Sequence, residues 1–248
     1  IILKMNNKLL KKICGIFGYR LIDKKTFKNQ RILAKNSSLK INNLLNFYFD
    51  NGRIKSVLQV GANDGVSFDE LNYFIKKYKV NSLLVEPIKE NFDLLKKNYC
   101  DFAFIKLENS AVSVNNEISH LYKVAPKFIK HYDRHIPAIP SFDIKHLKNH
   151  GVKDKHIIKE KVNSISLNDL FKKYSIVELD LFYLDAEGYD GKIVYDLLLN
   201  TKIRPLIIFE YIHIDNNFLE KIILKLLEND FLYFQIEENL FCLPKERF

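Results

Sequence analysis

The 248-residue chain has few of the residues that build disulfide frameworks and membrane spans. Its three cysteines, Cys14, Cys100 and Cys242, are odd in number and far apart, which excludes a disulfide scaffold and a thiolate zinc cluster. No apolar run approaches the roughly 18 residues of a membrane span. Lysines also interrupt the first twelve residues, where a secretion signal would be apolar. We therefore expect a globular protein of the reducing cytoplasm.

Positive charge is concentrated at one end of the chain. Residues 1–40 hold nine lysines and two arginines against Asp23, a local charge of +10 within a total of +9, so residues 41–248 sum to −1. A specific nucleic-acid groove on the folded domain is not expected, because its charge should lie on the folded face. Residues 1–50 are predicted to form a basic helical arm or cap. Residues 1–40 either contact an anionic membrane surface or an acidic partner peripherally, or dock on their own domain.

Strand and helix signals alternate after residue 50, and we assign residues 51–248 to one main domain. The patterns predict strands at 57–60, 82–85, 102–105, 179–184 and 206–209, followed by a terminal hairpin at 231–242. They predict helices at 39–49, 68–78, 88–99, 166–174, 189–199 and 218–228, of which the helix at 166–174 begins with a capping box. Strands separated by helices form βαβ units. Their mostly parallel sheet is covered by helices on both faces.

One segment, at about 125–160, breaks this alternation. It contains Pro126, Pro137 and Pro140 and is longer than an ordinary connection. Long insertions in compact folds are usually lids or binding loops. We therefore predict that this segment covers a substrate site.

The stretch 120–160 also contains six of the seven histidines and has a local charge of +5. The pairs His131/His135 and His146/His150 have i, i+4 spacing, which could place two imidazoles on one helical face. A zinc site is not favoured, because no thiolate is near either pair. We predict instead that basic residues here meet an anionic acceptor, the alternative being a solvated basic loop; the candidates are Lys127, Lys130, His131, Arg134 and His135.

Glycine is scarce, with eight residues, so its positions are informative. Gly61 and Gly65 follow the first strand in V-G-A-N-D-G, and Gly188 and Gly191 follow the 179–184 strand in D-A-E-G-Y-D-G. The carboxyl ends of parallel strands form the ligand crevice of an open sheet. Gly61 permits a tight turn near a ligand, and Gly65 permits close packing of the following helix. Glu86 ends the second strand, where a carboxylate can accept hydrogen bonds from both hydroxyls of a ribose.

This pattern indicates a cofactor that contains a nucleoside. The glycines do not make G-x-G-x-x-G, and no G-x-x-x-x-G-K-[ST] occurs, so a pyrophosphate site has weak support. S-adenosylmethionine, which also uses a glycine turn followed by a ribose-binding acid, fits better. Glycines that serve only as strand-to-helix turns would explain either cluster alone, but not both together with Glu86.

Six motifs in order resemble the FkbM family of S-adenosylmethionine-dependent methyltransferases. They are V-L-Q-V-G-A-N-D-G, L-L-V-E-P, E-N-S-A-V-S, S-L-N-D-L-F, L-F-Y-L-D-A-E-G-Y-D and I-I-F-E, and the resemblance covers roughly residues 56–211. The resemblance implies a class I methyltransferase (Rossmann-like) fold, whose seven-stranded sheet has an antiparallel last strand. It also implies an O-methyltransferase for sugars, glycan precursors or other natural products.

The resemblance assigns the cofactor site residue by residue. Gly61, Asn63 and Gly65 would lie along the methionine and ribose of the cofactor, Glu86 would hold the ribose hydroxyls, and Ser110 and Ala111 would lie near the adenine. The family often has an acid in the first strand where this chain has Gln59. That departure bears on how the ammonium group of the cofactor is held.

Methyl transfer from a sulfonium is an in-line displacement, so the protein supplies alignment and a proton acceptor. Asp185 and Glu187 follow the 179–184 strand, and the turn at Gly188 could bring both to the crevice. Asp185 is the first candidate for the base, and Glu187 is either catalytic or a helix N-terminal acid. Related sugar methyltransferases bind Mg²⁺ with carboxylates at adjacent strand ends, which would make Asp185 and Glu210 the ligands.

Two other classes of function compete with the methyltransferase. One is a non-catalytic basic adaptor that binds RNA or an anionic membrane through its N-terminal arm. The other is an NAD-dependent oxidoreductase, which would have no use for the second glycine cluster. Affinity for S-adenosylhomocysteine separates the first hypothesis from both.

Overall fold

The computed structural model describes residues 39–114, 119–133, 136 and 139–247. Residues 41–248 are one of two units of the chain, and the predicted arm lies outside the described residues as far as residue 38. No helix in the described ranges is both long and apolar enough to cross a membrane.

The strands assemble into one seven-stranded sheet and two small ones in the described part of the chain. In chain order they are β1 (Ser56–Val60), β2 (Asn81–Val85), β3 (Ile105–Glu108), β4 (Ala111–Val112), β5 (Ser119–Val124), β6 (Ile157–Val162), β7 (Ser164–Ile165), β8 (Leu181–Leu184), β9 (Leu206–Glu210), β10 (Phe231–Ile236) and β11 (Asn239–Pro244). The main sheet has the order β10-β11-β9-β8-β1-β2-β3, and only β11 pairs antiparallel, with β9 and β10. The strand order reverses at β1, where an open α/β sheet forms its ligand crevice.

Helices cover both faces of this sheet. In chain order, the helices of the described residues are α1 (Ile41–Asp50), α2 (Asn72–Tyr78), α3 (Lys89–Asn98), α4 (Ile144–Asn149), α5 (Leu167–Tyr174), α6 (Asp190–Asn200) and α7 (Asn216–Glu228). All but α4 contribute to the two cores of the main sheet, whereas Leu147 of α4 packs in a separate cluster with Val124 and Val152. Successive strand residues point to opposite faces. Leu58 and Phe182 pack in the core under α5, α6 and α7, whereas Val57 and Leu181 pack in the core under α1, α2 and α3. The predicted mostly parallel sheet with helices on both faces is confirmed.

Local signals account for most element boundaries. Ser166 begins α5 as predicted, because its Oγ accepts the backbone N–H of Asp169 at 3.2 Å. The terminal hairpin is also confirmed, and Glu237 in its turn has a φ of 52°. The insertion of β11 between β9 and β10 gives the antiparallel strand that the family resemblance implies.

Two predicted boundaries are wrong for local reasons. The helix predicted from residue 68 begins at Asn72, because Phe68 has a φ of 59° and the Asp64 carboxylate holds the preceding backbone in a turn. The strand β3 begins three residues later than predicted, because the Phe102 carbonyl oxygen accepts the Ile105 N–H in a turn. In both cases a turn occupies residues whose apolar character matched the neighbouring element.

The segment between β4 and β7 is an insertion that we define as residues 119–162. Its strands β5 and β6 pair antiparallel, from Ser119 opposite Val162 to Val124 opposite Ile157, so both ends of the insertion lie side by side. In the described part of the insertion, α4 and the 3-10 helices Pro126–His131 and Asp154–His156 lie between these strands. The predicted lid at about 125–160 therefore lies inside a segment that is closed by its own strand pair.

Candidate functional site

A cavity of about 380 Å³ lies at the carboxyl ends of the central strands. It is lined by residues that follow β1, β2 and β8 and by residues of the insertion, including Ile139, Pro140 and Phe142. The cavity brings together six of the predicted site residues, which are Gly61, Asn63, Glu86, Ala111, Asp185 and Glu187. The topological switch beside β1 and the insertion thus enclose one site.

Gly61 is required where β1 and β8 meet at the cavity. Its φ is +83°, and a Cβ at this position would lie 1.9 Å from the backbone carbonyl oxygen of Asp185. No side-chain rotation relieves a contact between a Cβ and backbone, so only glycine fits. Gly188 also has a left-handed φ of +89°, but a Cβ there would meet only His213, at 3.5 Å. Glycine is therefore needed at Gly61 because a Cβ would collide with backbone, and at Gly188 only because of its positive φ.

Glu86 is a buried carboxyl group at the end of β2. Its Oε2 accepts the N–H of Asn63 and its Oε1 accepts the N–H of Ile88, both at 2.9 Å. Burial raises the pKa of Glu86 to about 7, although these two backbone donors lower it. The side chain is thereby fixed at the cavity wall in one orientation.

Gln59, at the centre of β1, presents an oxygen that makes no hydrogen bond. The Gln59 Nε2 donates to Asp69 Oδ1 at 3.1 Å, and the buried Gln59 Oε1 has no partner. The orientation of the amide follows from the neighbouring carboxylate, because a carboxylate accepts from the amide nitrogen and repels the amide oxygen. The cavity therefore contains one buried acceptor that a bound molecule can satisfy.

The turn after β8 places two further carboxyls on the cavity. Asp185 faces the open cavity, and its pKa is raised first by desolvation and then by the Glu187 carboxyl. Burial raises the pKa of Glu187 to about 8, with a further contribution from Asp190. Crowding of acids at this strand end therefore favours proton uptake near neutral pH.

Asp190 holds this turn in shape. Its carboxylate accepts the N–H of Ala186 at 3.0 Å and of Gly188 at 3.3 Å, from the first residue of α6. The residue is fully buried, and burial raises its pKa to about 6. Asp190 belongs to the second glycine motif, D-A-E-G-Y-D-G, but the motif alone does not predict this role.

Other predicted residues lie away from the cavity. Gly65 packs not against the helix that follows it, α2, but against Leu95 of α3 and Tyr99 directly after α3, where a Cβ would lie 2.5 Å or less from their side chains. Ser110 is buried and its Oγ donates to Glu108 Oε1 at 2.9 Å. Neither lines the cavity. Their proposed contacts with the cofactor stay predictions.

The predicted substrate residues are divided between exposed and undescribed positions. Lys127, Lys130 and His131 lie on an exposed 3-10 helix of the insertion and do not line the cavity. Arg134 and His135 lie outside the described residues. Their contact with an anionic acceptor stays a prediction.

Glu210 lies near the acids after β8, but in a different grouping from the predicted pair. Burial raises its pKa to about 8, and Asp185 and Glu187 add to the effect. Its carboxylate lies within 4.8 Å of ligand atoms of Glu187 and His213, close enough for the three to hold one metal ion. Asp185 belongs to no such group in the described residues. The Mg²⁺ site at Asp185 and Glu210 therefore gains no support.

Sequence reasoning also missed several residues that line or adjoin the cavity. Asp69, Glu70 and Tyr183 line it, and the Tyr183 hydroxyl donates to the Glu70 carboxylate. Tyr183 could have been found, because a tyrosine in a buried strand needs a partner for its hydroxyl. His213 was the one histidine outside the 120–160 stretch, and it follows the strand-end acid Glu210 by three residues.

A family model described as the methyltransferase FkbM domain matches residues 59–233. No curated protein matches the chain. Among solved structures, the chain is similar to the SAH-bound Podospora anserina methyltransferase PaMTH1, with 12% identity over 98% of this chain and 97% of that one and a TM-score of 0.40. A Geobacter sulfurreducens methyltransferase has 10% identity over 96% of each chain and a TM-score of 0.40. The N-terminal domain of human METTL16, in complex with SAH, has 12% identity over 81% of this chain and 66% of that one, and a TM-score of 0.40.

The family match extends over more than half of the chain, from β1 into β10. It includes the strand ends that form the cavity and the whole insertion. The strand order, with its antiparallel β11, is that of the fold which the resemblance implied. The chain therefore belongs to the FkbM methyltransferase family, and it is an S-adenosylmethionine-dependent methyltransferase of class I fold.

Proposed function

We propose that this enzyme transfers the methyl group of S-adenosylmethionine to a hydroxyl oxygen of a sugar or glycan precursor. One observation carries the proposal. Acceptors suited to the ribose and the ammonium of the cofactor line the same cavity as the carboxyl groups after β8. A hydroxyl that enters this cavity would have a proton acceptor beside the methyl donor.

The cavity residues fit the cofactor at two points. The Glu86 carboxylate accepts one backbone N–H on each oxygen and a further hydrogen bond from the Asn91 side chain. Since a carboxylate has about four acceptor positions, it can still accept a ribose hydroxyl, and it would accept both if Asn91 turned away. The unpartnered Gln59 Oε1 would accept an N–H of the ammonium, which compensates for the missing acid at this position. The bound cofactor supplies an electrophilic methyl group on a sulfonium. Gly61 and Asn63 would lie along its methionine and ribose.

Asp185 is the residue that we propose as the base. It faces the cavity, and its raised pKa means that its carboxylate, once ionised, binds a proton more strongly than an ordinary aspartate does. With S-adenosylmethionine bound, an acceptor hydroxyl would take the methyl carbon as the carbon–sulfur bond breaks to give a neutral thioether. Asp185 would accept the proton of that hydroxyl.

The charge of the cavity favours a neutral reacting group. The described lining includes six acids and no lysine, arginine or histidine; the acids are Asp69, Glu70, Glu86, Asp185, Glu187 and Glu238. Carboxylates accept hydrogen bonds from sugar hydroxyls but repel phosphate. An anionic group on the acceptor would therefore stay outside the cavity, where Lys127 and Lys130 are exposed.

A labelled-methyl experiment tests the acceptor class. The protein is incubated with S-adenosylmethionine carrying an isotopically labelled methyl group and with separate panels of neutral sugars, sugar phosphates and primary amines. The chemical shift of the transferred methyl group distinguishes an O-methyl ether from an N-methyl amine. We expect O-methyl products from the sugar panels, and transfer to amines alone would refute the proposal.

The variant Asp185→Asn tests the base. Removing the proton acceptor should lower the rate by about 100-fold or more, while affinity for S-adenosylhomocysteine stays within a few-fold. Asp93→Asn is the matched control, because Asp93 is exposed on α3 and pairs only with Lys89 among the contacts described. An Asp185→Asn variant that is as active as the Asp93→Asn control would show that another group takes the proton.

A further inference from the structure

Five possible metal ligands from three segments of the chain meet beside the cavity. His146 lies on α4 and His150 directly follows it, both in the insertion, whereas His213 follows β9. Ligand atoms of these three histidines lie within 4.8 Å of one another. Glu187, after β8, and Glu210, at the end of β9, form a second such group with the same His213. His213 therefore joins an all-imidazole group to a pair of carboxylates.

A buried nitrogen in this cluster has no hydrogen bond. The side chain of His146 is only 7% exposed, and its Nε2 has no hydrogen-bond partner. The same Nε2 lies 2.9 Å from Glu187 Oε2, which is close contact without hydrogen-bond geometry. A buried polar atom without a partner is costly, so one that persists indicates a ligand at the site.

We propose that His146, His150, His213, Glu187 and Glu210 bind one divalent transition-metal ion of the zinc class. Nitrogen and oxygen atoms bound to such an ion at about 2.1 Å lie about 3 to 3.4 Å apart, for right-angle or tetrahedral arrangements. The contact of His146 with Glu187 is 2.9 Å, and that of His213 Nε2 with Glu210 Oε2 is 3.6 Å. Both pairs thus stand near the separation of neighbouring ligands.

The donor set selects the class of metal. Mg²⁺ and Ca²⁺ take oxygen ligands, whereas imidazole nitrogen suits zinc and its transition-metal neighbours. Carboxylate oxygens complete such sites and balance the charge of the ion. Neither described cysteine belongs to the cluster, since Cys100 is exposed and Cys242 is buried in the main core. The site therefore shares only Glu210 with the Mg²⁺ site predicted from the sequence, and it suits a different class of metal.

Metal binding here would tie the insertion to the main sheet. Ser141 Oγ already donates to the backbone oxygen of Glu187 at 2.8 Å, so the two segments are in contact. An ion shared by α4 and the ends of β8 and β9 would fix the nearby residues Ile139, Pro140 and Phe142 over the cavity. A carboxylate of Glu187 bound to metal does not accept a proton, which leaves Asp185 as the base. The inference does not depend on the identity of the acceptor.

Calorimetry with Zn²⁺ alone, on full-length protein freed of metal by a chelator, tests the site. We expect one ion per chain and an affinity that falls by more than about 100-fold in His213→Ala, because a direct ligand matters at least as much as an outer one. His131→Ala is the matched control, since it removes an exposed histidine of the insertion that lies outside the cluster. Substitution with Co²⁺ should give a visible spectrum of nitrogen and oxygen ligation that His213→Ala abolishes.

The outcomes separate this inference from the proposed function. No binding of Zn²⁺, or equal affinity in His213→Ala and His131→Ala, would overturn the metal site even if S-adenosylhomocysteine binds normally. If circular dichroism shows that His213→Ala is unfolded, His150→Gln removes a partly exposed imidazole instead and must weaken Zn²⁺ binding in the same way. Slower hydrogen exchange of residues 139–150 on addition of Zn²⁺ would support the proposed restraint on the insertion, and unchanged exchange would refute it.

Discussion

Replacing Glu86 with glutamine tests the cofactor site most directly. The two side chains have nearly the same shape, so the substitution changes charge and hydrogen bonding but not packing. Glutamine keeps one acceptor oxygen, but its amide nitrogen must face either the Asn63 N–H or the Ile88 N–H, which Glu86 now accepts. One ribose hydroxyl also loses its acceptor.

The structure sets the size of the expected effect. A hydrogen bond to a charged group contributes about 1.5–3 kcal/mol. The substitution removes one such bond to the ribose, and it weakens the second because the side chain loses one of the backbone N–H groups that hold it in place. A loss of about 3 kcal/mol corresponds to roughly a 100-fold increase in Kd for S-adenosylhomocysteine. Glu90→Gln is the matched control, because Glu90 is exposed on α3 beside Lys123 and should leave the Kd unchanged.

The pH dependence gives a second signature. Burial raises the pKa of Glu86 from 4.5 to about 7, so the folded state holds a proton that the unfolded state releases between these values. This contribution to stability is fully present below pH 4.5 and is lost as pH rises to 7, on the order of 3 kcal/mol. The affinity for S-adenosylhomocysteine should change in the opposite direction, because the ribose hydroxyls donate to the ionised form of Glu86. Wild-type affinity should therefore rise by up to about tenfold per pH unit until pH 7.

Isothermal titration of wild-type protein, Glu86→Gln and Glu90→Gln with S-adenosylhomocysteine between pH 5.5 and about 8.5 measures both effects. The difference between wild type and Glu86→Gln isolates Glu86 from the other titrating acids of the cavity. If Glu86→Gln bound within twofold of wild type, or the two pH profiles were parallel, the ribose role of Glu86 would be wrong.

Three further substitutions test the packing that holds the site. In urea denaturation, Gly61→Ala should destabilise the fold by more than about 3 kcal/mol, because its Cβ would collide with the Asp185 carbonyl. Gly151→Ala is the control, since Gly151 has a similar φ of +80° but open space around it, and it should destabilise the fold by about 1 kcal/mol. Similar losses in the two variants would contradict the steric argument. Arg204→Ala removes a guanidinium that donates to three backbone carbonyls and an asparagine, and it should lower the free energy of unfolding by about 2 kcal/mol. The Kd for S-adenosylhomocysteine should stay unchanged, and an increase in that Kd would count against a purely structural role. Phe182→Ala should cost about 3–5 kcal/mol in the same denaturation assay, because Phe182 is 0% exposed in the central strand β8, and a loss below about 1 kcal/mol would contradict its place in the core.

Local patterns were sufficient to predict the main sheet and most of its helices. The S-x-x-D cap at Ser166, the apolar runs and the hairpin each depend on residues close together in sequence. The pairing of β5 with β6 could not be predicted in this way. His120 lies opposite Lys161, and the charged run Lys159-Glu160-Lys161 in β6 resembles a solvated loop. Only the fold of the insertion brings the two strands together.

The same distinction applies to the site. Gly61, Glu86 and Asp185 could be placed near the crevice, because each directly follows a strand whose end is fixed by the sheet. The unpartnered oxygen of Gln59 and the position of His213 beside α4 depend on contacts between distant segments. The i, i+4 spacing is sufficient to place His146 and His150 together at the end of α4, but it does not predict the third imidazole, His213.

The pairing of β5 with β6 has a consequence for how this enzyme can diversify. Because Ser119 and Val162 are paired neighbours, the two ends of the segment 119–162 join the rest of the domain at the same place. The entropy of closing a loop grows only with the logarithm of its length, by about 0.6 kcal/mol for each doubling. Residues 119–162 can therefore be grafted or exchanged as a cassette while the cofactor-binding strand ends remain as they are. A chimaera that carries a foreign cassette should keep its affinity for S-adenosylhomocysteine, because the ends of β1, β2 and β8 that line the cavity lie outside residues 119–162.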